Sequence, residues 1–163
     1  MKNDALEAIY KKYYTELYLY ALSLCQSHHQ AQDLVSDTFY KAMLSLDDSK
    51  DYIKFWLFRV CKNLFLDHTR RDKNLQDIDD YKEILSKGDT PLEQVINDEK
   101  RLEIYFEILK LQPSYKEVII LFYYCHFSVN EISKTTGLSE SGIKSILFRA
   151  RRKLKTALKE DCK

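Results

Sequence analysis

The chain has 163 residues, with 26 Lys and Arg against 25 Asp and Glu, a net charge of +1, and 45% hydrophobic against 31% charged residues. That balance belongs to a globular chain and excludes a disordered one. Three glycines and two prolines are too few for the turns of sandwiches and barrels or for Gly-rich phosphate loops, so the composition predicts an all-α fold. No apolar run reaches the roughly 18 residues of a membrane span, and Tyr13, Tyr14, Glu16 and Tyr18 interrupt any signal-segment reading of the first helix. The four cysteines, Cys25, Cys61, Cys125 and Cys162, show no CxxC spacing. The expectation is a cytoplasmic protein with reduced thiols, three of them buried and one in the tail.

The near-zero net charge hides an asymmetry. Residues 1–72 hold ten basic and ten acidic side chains, residues 73–100 four and eight, and residues 101–163 twelve and seven. A neutral part, an acidic part and a basic part predict two small helical domains joined by a short acidic linker, the last domain meeting a polyanion. The expected bounds are 1–72, a linker over 73–94, and 95–163.

Apolar residues recurring at helical spacing predict a first helix over 5–24, with Leu6, Ile9, Tyr10, Tyr13, Leu17, Tyr20 and Leu24 inward. A second helix over 30–46 turns Ala31, Leu34, Val35, Thr38, Phe39, Ala42 and Leu46 to the core and shows Asp33, Ser36, Asp37 and Lys41 outside. After the polar stretch 47–51, a third helix over 52–71 is apolar at Trp56, Leu57, Val60, Cys61, Leu64 and Phe65. Residues 72–90 read as a solvated connector, and the carboxylates Asp77, Asp79, Asp80 and Glu83 within it have no histidine or Gly turn to support a metal site. Further helices follow over 92–111, 114–125, 128–136 and 140–159. Pro113 suits a helix start, Ser128 with Glu131 forms a capping box, and Gly137 suits the left-handed residue that ends a helix.

Residues 128–155 therefore have a helix-turn-helix pattern, with Ile132, Leu138, Ile143 and Leu147 where the two helices must pack. Ser139, Ser141, Lys144, Ser145, Phe148 and Arg149 fall on the outward face or near the start of the second helix, the part that enters a major groove. Short hydroxyl side chains allow close approach, and Lys and Arg bind phosphates or guanine edges. Arg151, Arg152, Lys153 and Lys155 continue the charge. A basic helix alone favours a solvated face; with the Gly turn and the packed partner helix the balance passes to DNA. The third helix carries a second signature. Lys54, Arg59, Lys62, Arg70, Arg71 and Lys73 are interleaved with Phe55, Trp56 and Phe58, a mixture that suits single strands, where bases stack and phosphates are neutralised. Trp56 is expected in the core. Asn63 is a polar group whose amide can pair with the edge of an extruded base.

Three blocks in order resemble the bacterial sigma-70 factors. Ala31-Gln-Asp-Leu-Val-Ser-Asp-Thr-Phe39 is similar to region 2.2 of that family. Trp56-Leu-Phe-Arg-Val-Cys-Lys-Asn-Leu-Phe-Leu-Asp-His-Thr-Arg-Arg71 is similar to regions 2.3–2.4. Glu117-Val, Glu131-Ile, Gly137-Leu-Ser, Gly142-Ile-Lys-Ser and Phe148-Arg-Ala-Arg151 resemble region 4. The short linker, with no extra domain, resembles the extracytoplasmic-function (group IV) subfamily. Ser36 and Ile146 depart from it, standing where many members carry Gln and a basic residue. The resemblance implies a factor that binds core RNA polymerase, through the β′ clamp helices and the β flap, and directs it to promoter DNA by recognising −35 and −10 elements and helping to open the −10 region. It implies polymerase contacts at Asp33, Leu34, Val35, Asp37 and Phe39. It implies −10 contacts at Arg59, Asn63, Arg70 and Arg71, the 47–54 loop helping to form the pocket for a flipped base. It implies −35 contacts at Ser139, Ser141, Lys144, Ser145, Phe148, Arg149 and Arg152, and an anti-sigma partner. The Tyr123–Phe127 segment would serve such a partner or the core.

No nucleophile–base pair and no His/Cys metal spacing stands in the chain, so neither catalysis nor a cofactor is expected. His28-His29 beside Cys25 make poor tetrahedral geometry and read as a surface loop. Two other readings remain open on the residues alone: a dimeric helix-turn-helix regulator that binds duplex DNA unaided, and a metal-dependent nucleic-acid enzyme using Asp79 and Asp80.

Overall fold

The computed structural model describes residues 2–45, 53–71 and 98–161, and among these there are helices and no strand. The chain separates into two compact units, Met1–Gly88 and Asp89–Lys163. The expected connector, with its carboxylates, and the 47–51 stretch lie outside the described residues, as do Leu46 and Cys162.

The first unit holds α1 (Lys2–Cys25), α2 (His28–Ser45) and α3 (Ile53–Arg71), each packed on the other two. The turn between α1 and α2 is tighter than the sequence suggests. Gln26 adopts a left-handed φ of 56° and closes α1 by donating its N–H to the Leu22 carbonyl at 2.8 Å. Ser27 then begins α2, its carbonyl accepting from the Ala31 N–H. This draws His28 and His29 into the first turn of α2 rather than into a surface loop. The His28 ring stacks on Tyr18 with an interplanar angle of 9°, and its Nδ1 is hydrogen bonded to the Tyr18 hydroxyl at 2.7 Å.

Helical periodicity locates the core of α2 well: Ala31, Leu34, Val35, Thr38, Phe39 and Ala42 are all buried. On α1 it locates only part. Leu17 and Tyr20 are buried, but so are Tyr18, Leu19, Ala21, Leu22 and Ser23, because here the helix is enclosed all round and no polar face survives. Tyr10, expected inside, is exposed and rests its ring 4.8 Å from that of Phe39. On α3 the buried residues are Ile53, Leu57, Phe58 and Cys61, while Trp56, Val60, Leu64 and Phe65 are half-buried. Cys61 is enclosed completely, and burial pushes its thiol pKa up to about 12.

The second unit holds α4 (Glu99–Leu109), α5 (Pro113–Ile119), α6 (Val129–Thr136) and α7 (Glu140–Asp161). Asp98 caps α4 by accepting the Lys100 N–H at 3.0 Å. Pro113 opens α5, where its missing N–H would have had no intrahelical partner. The expected single helix over 114–125 changes pitch: from Ile120 to Tyr124 it is a π-helix, and the Cys125 N–H reaches back to the Ile120 carbonyl. Val118, Ile119, Ile120, Leu121, Tyr124 and Cys125 are all buried along this wider turn. Tyr124 meets Tyr105 edge-on at 5.4 Å and donates its hydroxyl to the Arg101 carbonyl. Tyr123 and His126 of the same segment are exposed, His126 with a left-handed φ of 59°.

Candidate nucleic-acid interface

The helix-turn-helix is built almost entirely from local interactions. Ser128 Oγ accepts the Glu131 N–H at 3.1 Å, and the Glu131 carboxylate accepts the Ser128 N–H at 3.0 Å, so two otherwise unpaired donors of α6 are satisfied reciprocally. Gly137, at φ 81°, ends α6 and donates to the Ser133 carbonyl. The Ser133 hydroxyl then donates to the Leu138 carbonyl at 2.7 Å. Ser139 opens α7: its hydroxyl accepts the Gly142 N–H at 3.1 Å. A Cβ at position 142 would stand 3.0 Å from that oxygen, so glycine leaves the cap its room. Asn130 donates to the Glu140 carboxylate across the turn. Ile132, Ile143, Leu147 and Ala150 form the buried seam of this unit. Leu138, expected in that seam, is 38% exposed, in the turn between the two helices.

Opposite the seam, α7 presents Ser139, Ser141, Lys144, Ser145, Phe148, Arg149 and Arg152, every one exposed. Ser139 has a structural duty as cap. The Arg152 guanidinium lies 5.7 Å from the centre of the Phe148 ring. Arg151 and Lys153 do not continue this face as the sequence suggests. Arg151 lies over the Tyr123 ring at 5.5 Å and donates its Nε–H to the Tyr123 hydroxyl at 2.5 Å, and Lys153 lies over Tyr115 at 5.0 Å. Both cations are held against α5 and the turn that continues it.

In the first unit, Arg59, Asn63 and Arg70 are exposed and recur at i, i+4 and i+11, so they line one face of α3. Leu66, at i+7, completes that face and is 40% exposed. Sequence reasoning missed it, although its spacing from Arg59 was the available signal. Phe58 is fully buried with its ring 5.1 Å from Tyr20, so it has no face to offer a base; Phe55 and Trp56 are half-buried and keep part of theirs. Arg71 stands off the stripe. It lines a cavity of about 330 Å³ with Cys25, Asp33, His68 and others, which brings one expected DNA contact beside one expected polymerase contact.

The expected polymerase-binding residues divide. Asp33 and Asp37 are exposed. Leu34, Val35 and Phe39 are 4%, 2% and 7% exposed: they hold α2 to its neighbours and offer little surface to a partner. The exposed line of α2 continues instead through Tyr40, Met43 and Leu44. It is acidic at one end and apolar at the other. Among the described residues, no group of three or more His, Cys, Asp or Glu stands close enough to hold a metal ion, and no helix is long and apolar enough to cross a membrane.

Comparison with known proteins fits this geometry. The family model described as Sigma-70 region 2 matches residues 9–75, and that described as Sigma-70, region 4 matches residues 101–154. The extracytoplasmic-function (ECF) RNA polymerase sigma factor SigM of Bacillus subtilis is 34% identical over 156 residues, covering 92% of this chain and 93% of its own. The RNA polymerase sigma factor YlaC of the same organism is 31% identical over 157 residues, covering 93% and 91%. In fold, the chain resembles the sigma factor RpoE of Bartonella quintana, solved in complex with the anti-sigma factor NepR, with a TM-score of 0.66 and 24% identity over 94% of this chain and 98% of that one. A region 2 match over the first unit sets aside the reading as a dimeric helix-turn-helix regulator, and the family's members are non-enzymatic, which sets aside the nucleic-acid enzyme. The chain belongs to the sigma-70 family, in its extracytoplasmic-function branch, and is a non-enzymatic factor that binds core RNA polymerase and directs it to promoters.

Proposed function

We propose that the two units divide promoter recognition between duplex and melted DNA. The α7 face of the second unit lies in the major groove of the −35 element, with Lys144, Arg149 and Arg152 meeting phosphates or base edges while Ser141 and Ser145 allow close approach. The α3 face of the first unit takes the −10 element as it opens: Arg59 and Arg70 neutralise the strand, Arg71 extends that contact at the helix end, and Asn63 pairs with an unstacked base. Asp33 and Asp37, continued by Tyr40, Met43 and Leu44, dock on the β′ clamp helices, and the second unit meets the β flap. An acidic, partly apolar face suits a basic protein partner and repels DNA. The factor works in the cytoplasm and is held by an anti-sigma protein when idle; the similar fold of RpoE, solved in complex with the anti-sigma factor NepR, supports such a partner. The observation that carries this reading is the pair of exposed basic faces on α3 and α7, each on a separately packed unit.

Transcription in vitro with purified core enzyme on a genomic fragment library tests it. Asn63→Ala is expected to lower open-complex yield and leave core binding intact. Asp33→Asn with Asp37→Asn is expected to weaken core binding itself at unchanged fold, with open-complex yield falling only as far as core binding does. A chain that joins core enzyme and never directs initiation on any fragment would overturn the proposal.

A further inference from the structure

A cavity of about 470 Å³ opens in the second unit between α4, the turn that continues α5, and α7. Two hydroxyl contacts orient it. The Tyr124 hydroxyl donates to the Arg101 carbonyl, and the Arg151 Nε–H donates to the Tyr123 hydroxyl. The first turn of α4 and Arg151 of α7 therefore meet the same end of that turn. Lys153 lies over Tyr115, at the other end of α5, so α7 runs back along α5, as α4 does. Ile104 and Ile108 follow Arg101 at three and seven residues, and Leu154 and Leu158 follow Arg151 at the same spacing. These positions share a face on each helix. At roughly 1.5 Å per residue they line an apolar lane about 10 Å long, with the fully buried Ile119 also in its wall.

Arg101 and Arg151 stand at one end of the lane and Lys155 beside it, all three exposed. Among the described residues none of the three is in an ion pair, and no carboxylate lines the cavity. Arg151 is held over the Phe122 and Tyr123 rings, 5.9 and 5.5 Å from their centres. Stacking takes up the flat of the guanidinium and leaves its terminal N–H groups to meet an anion in the plane. An apolar lane with cations at one end is matched to an alkyl chain with an anionic head. The volume is that of a small-molecule site, and the ten lining residues fall short of the roughly 20–30 a side of a stable protein interface. We propose that this cavity binds one fatty acid, its alkyl chain along the lane, its carboxylate between Arg101 and Arg151, and Lys155 adding charge beside it. None of the residues proposed to meet DNA lines the cavity, so promoter recognition stands or falls separately.

The test is calorimetric titration of the whole chain with sodium decanoate below its micelle concentration, beside decan-1-ol and decyltrimethylammonium, which carry the same tail. Decanoate is expected to bind once per chain and more tightly than either. Each methylene removed on the way to hexanoate should weaken binding by up to about fourfold. Arg101→Gln with Arg151→Gln is expected to weaken decanoate and leave decan-1-ol unchanged. Both side chains are exposed, so the double variant keeps its fold, and circular dichroism checks it. Leu158→Glu, which sets a carboxylate in the lane, is expected to abolish decanoate binding. Bound decanoate should raise the melting of the second unit alone, by mass action. Overturning results are decan-1-ol binding as tightly as decanoate, the double variant binding decanoate as the parent does, or decanoate lowering the melting of both units alike, the mark of detergent action. Anionic phospholipid vesicles, or an acidic amphipathic peptide, binding through Arg101 and Arg151 when decanoate does not would overturn the choice of occupant.

Discussion

The two helices proposed to face DNA carry similar charge but are made in different ways. The α7 face is apolar only at Phe148; it is otherwise cations and short hydroxyls, on a helix whose start is fixed by Ser139, Gly142 and the left-handed Gly137. The α3 face alternates Arg59, Asn63, Leu66 and Arg70, with half-buried Phe55 and Trp56 at its beginning. The first suits a stiff duplex whose grooves accept a narrow, wet helix. The second suits a strand whose bases have left the stack and need apolar and amide partners. Net charge does not separate the two functions; what stands between the charges does.

The largest expected effect breaks the comparison at its base, by asking whether each face depends on its own core. Leu57 is fully buried in α3, and Leu57→Ala should cost about 2–5 kcal/mol of stability. Ile143, fully buried in α7, should cost a similar amount when cut to Ala. Denaturant unfolding followed by probes placed in each unit should show the first change lowering the first unit's midpoint and the second change the other's. Equal shifts in both transitions from either change would mean that the two cores are one.

A smaller effect sharpens the difference between duplex and single strand. Arg149→Ala should weaken −35 binding by about 1–3 kcal/mol and relax preference at one position if the guanidinium meets a base. If it meets a phosphate, sequence preference stays and the salt slope drops by about 0.9, the value for a duplex. Arg59→Ala, measured on a single-stranded −10 oligonucleotide, should lower the slope by about 0.7 instead. Equal slopes on both substrates would remove the proposed division of labour.

How far the sequence discloses each face follows the same contrast. The α6–turn–α7 element is legible because its determinants are neighbours in the chain: the Ser128–Glu131 box, the Gly137 turn and the Ser139 cap lie within about a dozen residues, and each formed as its chemistry requires. The failures come where distant parts meet. Leu34, Val35 and Phe39 stand both in a motif and on the core side that periodicity gives α2, and the motif alone could not rank the two duties. Tyr18, Leu19 and Leu22 escape the periodicity rule because α1 is enclosed on every side there. Arg151 and Lys153 were grouped with the DNA-facing cations by sequence distance, whereas helix geometry turns them onto Tyr123 and Tyr115. The π-turn at Ile120 has no signal in local propensity.

A backbone test is gentler still. Gly137 has open space around it, with nothing within 4 Å of an added Cβ. Gly137→Ala therefore isolates the cost of a left-handed backbone, about 1–2 kcal/mol, with no steric clash added. Ser128→Ala should cost about 1 kcal/mol by removing the cap of α6. Both losses should appear in the melting of the second unit only. A Gly137→Ala chain as stable as the parent would show that the turn does not need its glycine.

The smallest effect at neutral pH becomes the most discriminating in alkali. Burial pushes the Cys61 thiol of the first unit up to about 12 from near 9.0, and the Tyr124 phenol of the second unit up to about 12 from near 10.0. Tyr14 and Tyr18 of the first unit are also raised by burial. A raised pKa means that the folded chain holds the proton more tightly than the unfolded chain. The stability each group contributes is then complete below its unfolded value and is lost as pH climbs toward the folded one. The first unit should accordingly begin to weaken from about pH 9 and the second from about pH 10, the first more steeply because three raised groups contribute there. Circular dichroism with phenolate absorbance between pH 8 and 12 follows both. Tyr124→Phe should cost about 1 kcal/mol at neutral pH, through the lost hydrogen bond to the Arg101 carbonyl, and should flatten the alkaline decline of the second unit alone. An unchanged decline there would mean that the phenol is not held protonated by its burial against α4, and that the wide turn carrying it opens to water before the rest of the unit.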